Sequence, residues 1–167
     1  MSDKDHKRVH RTDTKDDHEY TPVAARYTTT TAGSYATSPA VTIIDYDTKV
    51  YDTHNAVTTG AAWKFTSPMT RYYNIAARAL IATTGDWAET ESAHLIVYVD
   101  GVSYAVLDTD THIYDNGSNV LAVVNGSTDI YLAVGSYVDV RLSQESGGTR
   151  ALNTSAGHNW ISIHSIL

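Results

Sequence analysis

The pair Asp100-Gly101 constrains the fold of this chain most strongly, because it separates two β-rich segments by two residues only. HLIVYV precedes it at 94–99 and VSYAVL follows it at 102–107. A two-residue turn between paired strands needs positive φ at both positions, which Asp and Gly tolerate. The pattern therefore predicts an antiparallel hairpin.

Other segments of the chain repeat this alternation of β-rich runs and turn residues. Asn-Gly-Ser occurs at 116–118 and again at 125–127, which predicts turns on both sides of a strand at 119–124. Further strands are predicted at 41–46, 49–51, 61–65, 71–82, 129–134, 137–142 and 159–166. We therefore expect nine or ten short strands separated by turns.

The Ala-rich segment 71–82 is the one place where a helix competes with a strand. With period two, its apolar residues from Tyr73 to Ile81 share one face, while Tyr72 and Arg78 fall on the other. Segment 137–142 alternates in the same way, with Val138, Val140 and Leu142 facing inward. The chain also contains 23 Thr and 12 Tyr, which are residues typical of strands. Together these features predict an all-β fold, an antiparallel β-sandwich of the jelly-roll type.

Charge divides the chain into two parts. The first twenty residues contain five Lys or Arg and six Asp or Glu, with one aliphatic residue after the first Met. Such a segment buries too little apolar area to offset its ordering entropy, so it is either an unstructured leader or an arm that orders on a partner. Residues 20–39 are rich in Thr, Ala and Ser and resemble a linker or edge strand. We predict an extended N-terminal arm and linker at 1–40 and a jelly-roll domain at 41–167.

The composition excludes several classes of function. The net charge of −7 argues against nucleic-acid binding, and the absence of Cys excludes disulfides and thiolate metal sites. No apolar run is long enough to span a bilayer, and the N-terminus has no signal-peptide core. We therefore expect a protein made in the cytoplasm that does not act at a membrane.

Two clusters of polar residues raise the question of chemistry. Asp108, Asp110, His112 and Asp115 have the spacing of a calcium loop, but the glycine and glutamate that an EF-hand requires are absent. An acid and a base occur at Asp52 and His54, but no strained nucleophile turn accompanies them. We expect no metal site, no cofactor and no enzymatic activity.

The order of the segments over 50–167 resembles the C1q/TNF-like jelly roll. The resemblance covers about 115 residues and rests on five short motifs. These are Thr59-Gly60 followed by the aromatic run to Phe65, Pro68 followed by Tyr72-Tyr73, the hairpin turn Asp100-Gly101, Leu132 to Val138 around Gly135, and the closing strand from Asn159-Trp160 to Ile163. Arg71 and Ser136 replace the Gly and Asp that are usual in the family.

The resemblance implies a compact homotrimer, in which one outer sheet face is buried. Large aromatic residues on strands are core residues by default, and this interpretation stays open for Trp63, Phe65, Tyr73, Tyr131 and Trp160. The alternative places outward aromatic residues at the threefold interface, with Tyr72, Tyr137 and Trp160 as candidates. A carbohydrate-binding platform is a further possibility. His164 would share a side with Trp160 and Ser162.

Phage virion proteins often use this module, which suggests a viral structural role. We expect a trimeric capsid decoration or head-surface protein, located in the virion. Its N-terminal arm would bind other virion proteins such as the major capsid protein, with anchor candidates Lys4, Lys7, Arg8 and Arg11. The alternative is a receptor-binding tip of a tail or head fibre that recognises host glycan through loops 108–118 and 143–158.

Overall fold

The structure, a computed structural model, describes residues 22–82, 87, 91–111 and 121–166. The predicted anchor residues Lys4, Lys7, Arg8 and Arg11 lie outside these ranges. No helix occurs among the described residues, so none there could cross a bilayer. The described strands are β1 (Ala24–Thr29), β2 (Thr42–Ile43), β3 (Thr48–Asp52), β4 (Val57–Thr58), β5 (Lys64–Thr66), β6 (Arg71–Ile81), β7 (Ser92–Val99), β8 (Val102–Thr111), β9 (Ala122–Leu132), β10 (Tyr137–Gln144) and β11 (Asn159–Ser165).

These strands form two antiparallel sheets that enclose one core. The first sheet has the order β3-β1-β11-β6-β9, and the second has the order β4-β5-β10-β7-β8 with β2 beside β10. Every strand pairing within the sheets is antiparallel. The predicted all-β antiparallel sandwich is confirmed.

Strand β6 confirms the period-two interpretation of the Ala-rich segment. The side chains from Tyr73 to Ile81 that share its inner face are fully buried, whereas Tyr72 is exposed. In β10, Val138, Val140 and Leu142 are buried in the core as predicted. Alternation of burial along the strand therefore outweighs the helix propensity of Ala.

Aromatic rings fill the centre of the sandwich. Trp63 is buried and its indole N–H donates to the backbone oxygen of Tyr46 at 3.1 Å. The rings of Tyr46 and Tyr27 meet the Trp63 ring edge-on, with centroid separations of 5.6 and 6.3 Å. Phe65 packs against Tyr73 in the same manner at 5.4 Å. Trp63, Phe65 and Tyr73 are thus core residues.

Of the three predicted Gly-containing turns, the one at 116–118 lies outside the described residues and the other two had opposite outcomes. Asp100 and Gly101 both have positive φ, of 50° and 80°, and join β7 to β8 as predicted. The turn predicted at 125–127 is wrong, because β9 runs unbroken through Asn125-Gly126. A Cβ atom on Gly126 would lie 2.5 Å from the backbone oxygen of Leu107. This glycine allows β9 to approach β8 closely.

The sandwich begins earlier in the chain than predicted. Strand β1 lies between β11 and β3, so residues 24–29 are neither a linker nor an edge strand. This corrects the boundary predicted between residues 40 and 41. The alternating side chains of β1 explain why this strand belongs to the sandwich, because Ala25, Tyr27 and Thr29 are buried in the core. Of the predicted strand 41–46, only Thr42–Ile43 forms a strand, which is β2. The strand predicted at 61–65 starts later in the structure, as β5 at Lys64–Thr66.

Candidate functional site

The outward face of the first sheet presents four aromatic side chains. Tyr72 and Tyr131 are each 57% exposed, Tyr51 is 37% exposed, and Trp160 is partly buried. Tyr72 and Tyr131 are cross-strand neighbours with ring centroids 5.1 Å apart. We call the surface formed by Tyr51, Tyr72, Tyr131 and Trp160 the aromatic face. Exposed rings on one side of a sheet are uncommon in a monomer and indicate an interaction surface.

Small side chains occupy the middle of the aromatic face. The strand register places Arg26 beside Ser162, Ser162 beside Ala76, and Ala76 beside Ser127, in one row across four strands. Because these residues are short apart from Arg26, another surface could approach the centre of the sheet closely between the rings.

Polar contacts fix several side chains of this face. Arg26 stacks over the Trp160 ring with its guanidinium carbon 5.0 Å from the ring centroid. His164 Nε2 lies 2.8 Å from Ser162 Oγ and 3.3 Å from Tyr51 Oη. His164 therefore shares a side with Ser162, as the sequence predicted.

The structure brings together only two of the three predicted interface residues. Tyr72 on β6 and Trp160 on β11 belong to neighbouring strands of the first sheet. Tyr137 lies on β10, in the second sheet. Tyr51 was not predicted from the sequence, and Tyr131 was predicted as a core candidate. The alternation of Tyr131 with the buried Ile130 and Leu132 was the signal that could have placed it outside.

The second sheet exposes Val102, Tyr104 and Val106 on β8 and has a charged pair on its middle strand, β10. Asp139 has an outward position in β10 but is only 2% exposed. Arg141 donates to both of its carboxylate oxygens, from Nε to Oδ1 at 2.6 Å and from Nη2 to Oδ2 at 3.1 Å. These bonds raise the pKa of the Arg141 guanidinium further above its usual value. The guanidinium also stacks on Tyr98, with 3.8 Å between its carbon and the ring centroid.

Two of the acidic residues considered as metal ligands accept hydrogen bonds from backbone N–H groups instead. Asp108 accepts from the backbone N–H of Asn125 at 2.9 Å, and Asp110 accepts from that of Val123 at 2.9 Å. These bonds join β8 to β9 where the two sheets meet. His112 and Asp115 lie outside the described residues. Within the described ranges, no group of three potential ligands is close enough to hold a metal ion.

The pair Asp52 and His54 is not arranged as an acid and a base. Asp52 accepts from the backbone N–H groups of His54, Ala56 and Val57 at 3.1 to 3.2 Å, which folds the loop after β3. The His54 ring instead contacts Thr53, with 2.8 Å between Nδ1 and Oγ1. The carboxylate thus stabilises a turn.

Comparison with solved structures identifies the fold. The Eiger TNF of S. frugiperda superimposes with a TM-score of 0.62 at 13% identity, covering 89% of this chain and 94% of the other. The chain has a C1q/TNF-like jelly-roll fold. Murine APRIL at pH 5.0 gives 0.58 at 13% identity, covering 87% and 100%. The globular domain of zebrafish complement 1qA protein gives 0.56 at 15% identity, covering 87% and 96%.

The comparisons limit what the C1q/TNF-like fold says about function. No protein-family model matches the chain, and no curated protein is significantly similar to it in sequence. At 13 to 15% identity the likeness concerns the fold alone. Since one fold serves many functions, function has to be argued from the surfaces of this jelly roll.

Proposed function

We propose that this chain is a self-associating structural protein that forms a homotrimer through the aromatic face. The observation that supports this most is the exposure of Tyr72 and Tyr131, a pair of rings in contact at a tilt of 58° on an open sheet face. Aromatic residues are enriched at the centres of protein interfaces and contribute much of their binding energy. The small residues between the rings suit close packing of a second copy.

The proposed stoichiometry comes from the C1q/TNF-like fold, whose resemblance implied trimers. A closed threefold assembly uses the same surfaces in every copy and leaves none of them open. Tyr72 and Trp160 keep their predicted role in this interface, joined by Tyr51 and Tyr131. Tyr137, on the middle strand of the second sheet, would contribute only if that sheet of one copy packs against the aromatic face of the next.

We further propose that the trimer is a phage capsid decoration or head-surface protein, made in the host cytoplasm and located in the virion. Support comes from the Thr- and Tyr-rich, Cys-free composition and from a charged N-terminal segment suited to contacting capsid subunits. A protein that binds only the assembled shell stabilises it by mass action. This role requires no catalysis, no cofactor and no metal.

Two experiments test this proposal. Light scattering of the full chain should give three times 18.2 kDa, and a monomer at micromolar concentration would contradict self-association. A variant without residues 1–20 should remain trimeric but fail to load onto virions, because Lys4, Lys7, Arg8 and Arg11 would be missing. Loading at the full-length level would contradict the anchor while leaving the trimer intact.

A loop fixed by hydrogen bonds supports the alternative function, a receptor-binding fibre tip. The loop after β10 is held by Gln144, whose side-chain amide donates to the backbone oxygens of Tyr35 and Gly148 at 3.0 and 2.7 Å. Arg150 Nε donates to Ser146 Oγ at 2.6 Å within the same loop. A fixed loop of this kind suits recognition of a host glycan. Electron microscopy of the particle decides between the functions by locating the protein on the shell or at a fibre end.

A further inference from the structure

The second sheet contains a cavity that the self-association proposal does not use. It measures about 190 Å³ and is lined by Ile43, Ala62, Trp63, Lys64, Tyr137, Asp139 and Arg141. These residues belong to the second sheet or to the segment entering it, whereas the aromatic face belongs to the first. The cavity would therefore stay accessible in an assembly that covers the aromatic face. Its volume is below the roughly 300 Å³ at which sites for drug-sized ligands begin, which fits a single sugar-sized group.

The acidic side chain in this cavity is already neutralised. Both carboxylate oxygens of Asp139 accept hydrogen bonds from Arg141, whose guanidinium is held flat against Tyr98. Pairing with the guanidinium compensates the charge of this carboxylate, which therefore repels an anion less strongly. Asp139 is only 2% exposed, so the fixed pair presents to a ligand the edge of the Arg141 guanidinium that does not face the carboxylate.

Lys64 gives the cavity lining a positive charge that no carboxylate of the lining compensates. Its ammonium nitrogen lies over the Tyr137 ring, 5.0 Å from the centroid. In the part of the chain that the structure describes, no carboxylate is within salt-bridge distance of it. The lining therefore has one net positive charge, from Lys64 and Arg141 against Asp139. A small anion is attracted to such a site, and a recessed position strengthens the attraction relative to open solvent.

Apolar residues complete the lining of the cavity. Ile43, the strand partner of Arg141, and the exposed Ala62 would contact carbon–hydrogen surface in a ligand, whereas Trp63 is fully buried beneath them. A simple inorganic anion would leave these apolar side chains uncovered. A ligand that suits both the charged and the apolar part of the lining has one carboxylate, hydroxyl groups and an apolar ring face, which are the features of a sugar acid.

We propose that the cavity bounded by Lys64, Asp139 and Arg141 binds the carboxylate of an acidic sugar of the hexuronate type. Lys64 would bind the carboxylate, Arg141 would donate to a ring hydroxyl, and Ile43 would contact the ring. The proposal concerns a small-molecule site and does not depend on the trimer or on a place in the virion.

Titration of the full chain with sodium glucuronate and with glucose tests the proposal, because the two sugars differ at one carboxylate. Glucuronate should shift the backbone amide signals of β5 and β10 in NMR spectra, with at least tenfold weaker binding of glucose. Lys64→Gln should weaken glucuronate binding at least fivefold. Lys49→Gln, on the exposed β3 of the first sheet, is the matched control and should leave binding unchanged.

Several results would overturn the proposal. Absence of glucuronate binding by the wild-type chain would do so, as would equal binding of glucose. Sodium acetate that binds as tightly as glucuronate would show that the sugar ring contributes nothing. Unchanged glucuronate binding by Lys64→Gln would remove the residue on which the charge argument rests, and the melting temperature of that variant verifies that it is folded. None of these results affects the mass measured by light scattering.

Discussion

The two outward faces of the sandwich differ in how their side chains are held. On the first sheet, Tyr72 and Tyr131 project into solvent and contact mainly each other. On the second sheet, Asp139 and Arg141 are fixed by a bidentate pair and by stacking on Tyr98. The exposed rings of the first sheet would gain the most binding free energy if a large flat surface covered them. The second is already organised around a small cavity.

This difference shows that an outward position in a strand is not the same as an exposed one. Tyr72 and Asp139 both alternate with core residues, yet one is 57% exposed and the other 2%. The strand period decides only which sheet face a side chain occupies. Contacts between neighbouring strands decide whether it remains available to a partner.

The largest expected effect is the loss of self-association on introducing a charge into the aromatic face. In Tyr72→Asp, a carboxylate would have to be desolvated in the interface without a partner, so the chain should become monomeric. The control Tyr104→Asp changes a tyrosine of similar exposure, 54%, on β8 of the second sheet and should stay trimeric. Light scattering measures both. If Tyr104→Asp dissociates the trimer and Tyr72→Asp does not, the two faces have been assigned the wrong way round.

The next effect concerns the ion pair of the second sheet. Arg141→Met leaves the buried Asp139 carboxylate without its donor, and should lower the free energy of unfolding by about 2–4 kcal/mol. Arg26→Met removes a guanidinium from the aromatic face, where it stacks on Trp160, and should cost less than about 1 kcal/mol. Urea denaturation measures both values. The double variant Asp139→Leu with Arg141→Met should recover most of the loss, and equal costs for the two single variants would contradict the distinction.

A third effect is expected where the two sheets meet. In Gly126→Ala the new Cβ atom would lie 2.5 Å from the Leu107 backbone oxygen, so β8 and β9 must separate. The expected cost is about 1–3 kcal/mol by analogy with other overpacked sites. In Gly148→Ala nothing lies within 4 Å of the new atom, and stability should change by less than about 0.5 kcal/mol. Thermal unfolding of the two variants compares them, and equal melting temperatures would show that the close approach is not required.

The parts of the fold that the sequence predicted are those whose signal is local. The Asp100-Gly101 turn depends on the conformations of two residues, and the faces of β6 depend on alternation within one strand. The same local logic failed at Gly126, because its role is set by β8, which approaches it from the other sheet. A glycine required by tertiary packing has the same sequence signal as one required by a turn.

The candidate sites were harder to predict than the strands. Tyr72 and Trp160 were identified as outward residues, but Tyr51 joins them only because β3 pairs with β1 beyond β11. The cavity depends on β5 pairing with β10, which brings Lys64 near Tyr137 and Asp139. Pairing partners and register between distant segments are set by the whole core, so no motif around Lys64 indicates them.

The smallest expected effect lies in the core that both faces share, and it appears only at high pH. Burial, and secondarily the nearby Asp45 carboxylate, raises the pKa of the Tyr35 hydroxyl from 10.0 to about 12. Below pH 10 this tyrosine is neutral in both the folded and the unfolded chain, so its contribution to stability is fully present. Above pH 10 the unfolded chain loses the proton first, and the contribution is lost progressively as the pH rises through about 12.

Replacing Tyr35 by Phe should therefore flatten the decline in stability at high pH. Between pH 9 and pH 11 the wild-type chain should lose about 1 kcal/mol more than Tyr35→Phe, as the linkage relation requires for this shift. Urea denaturation at the two pH values gives the difference, and a comparison at pH 7 separates it from any change in packing. Both outward faces are unaltered in this variant, so its trimer mass at pH 7 should match the wild type. An identical pH dependence in the two proteins would mean that the Tyr35 hydroxyl reaches water in the folded state.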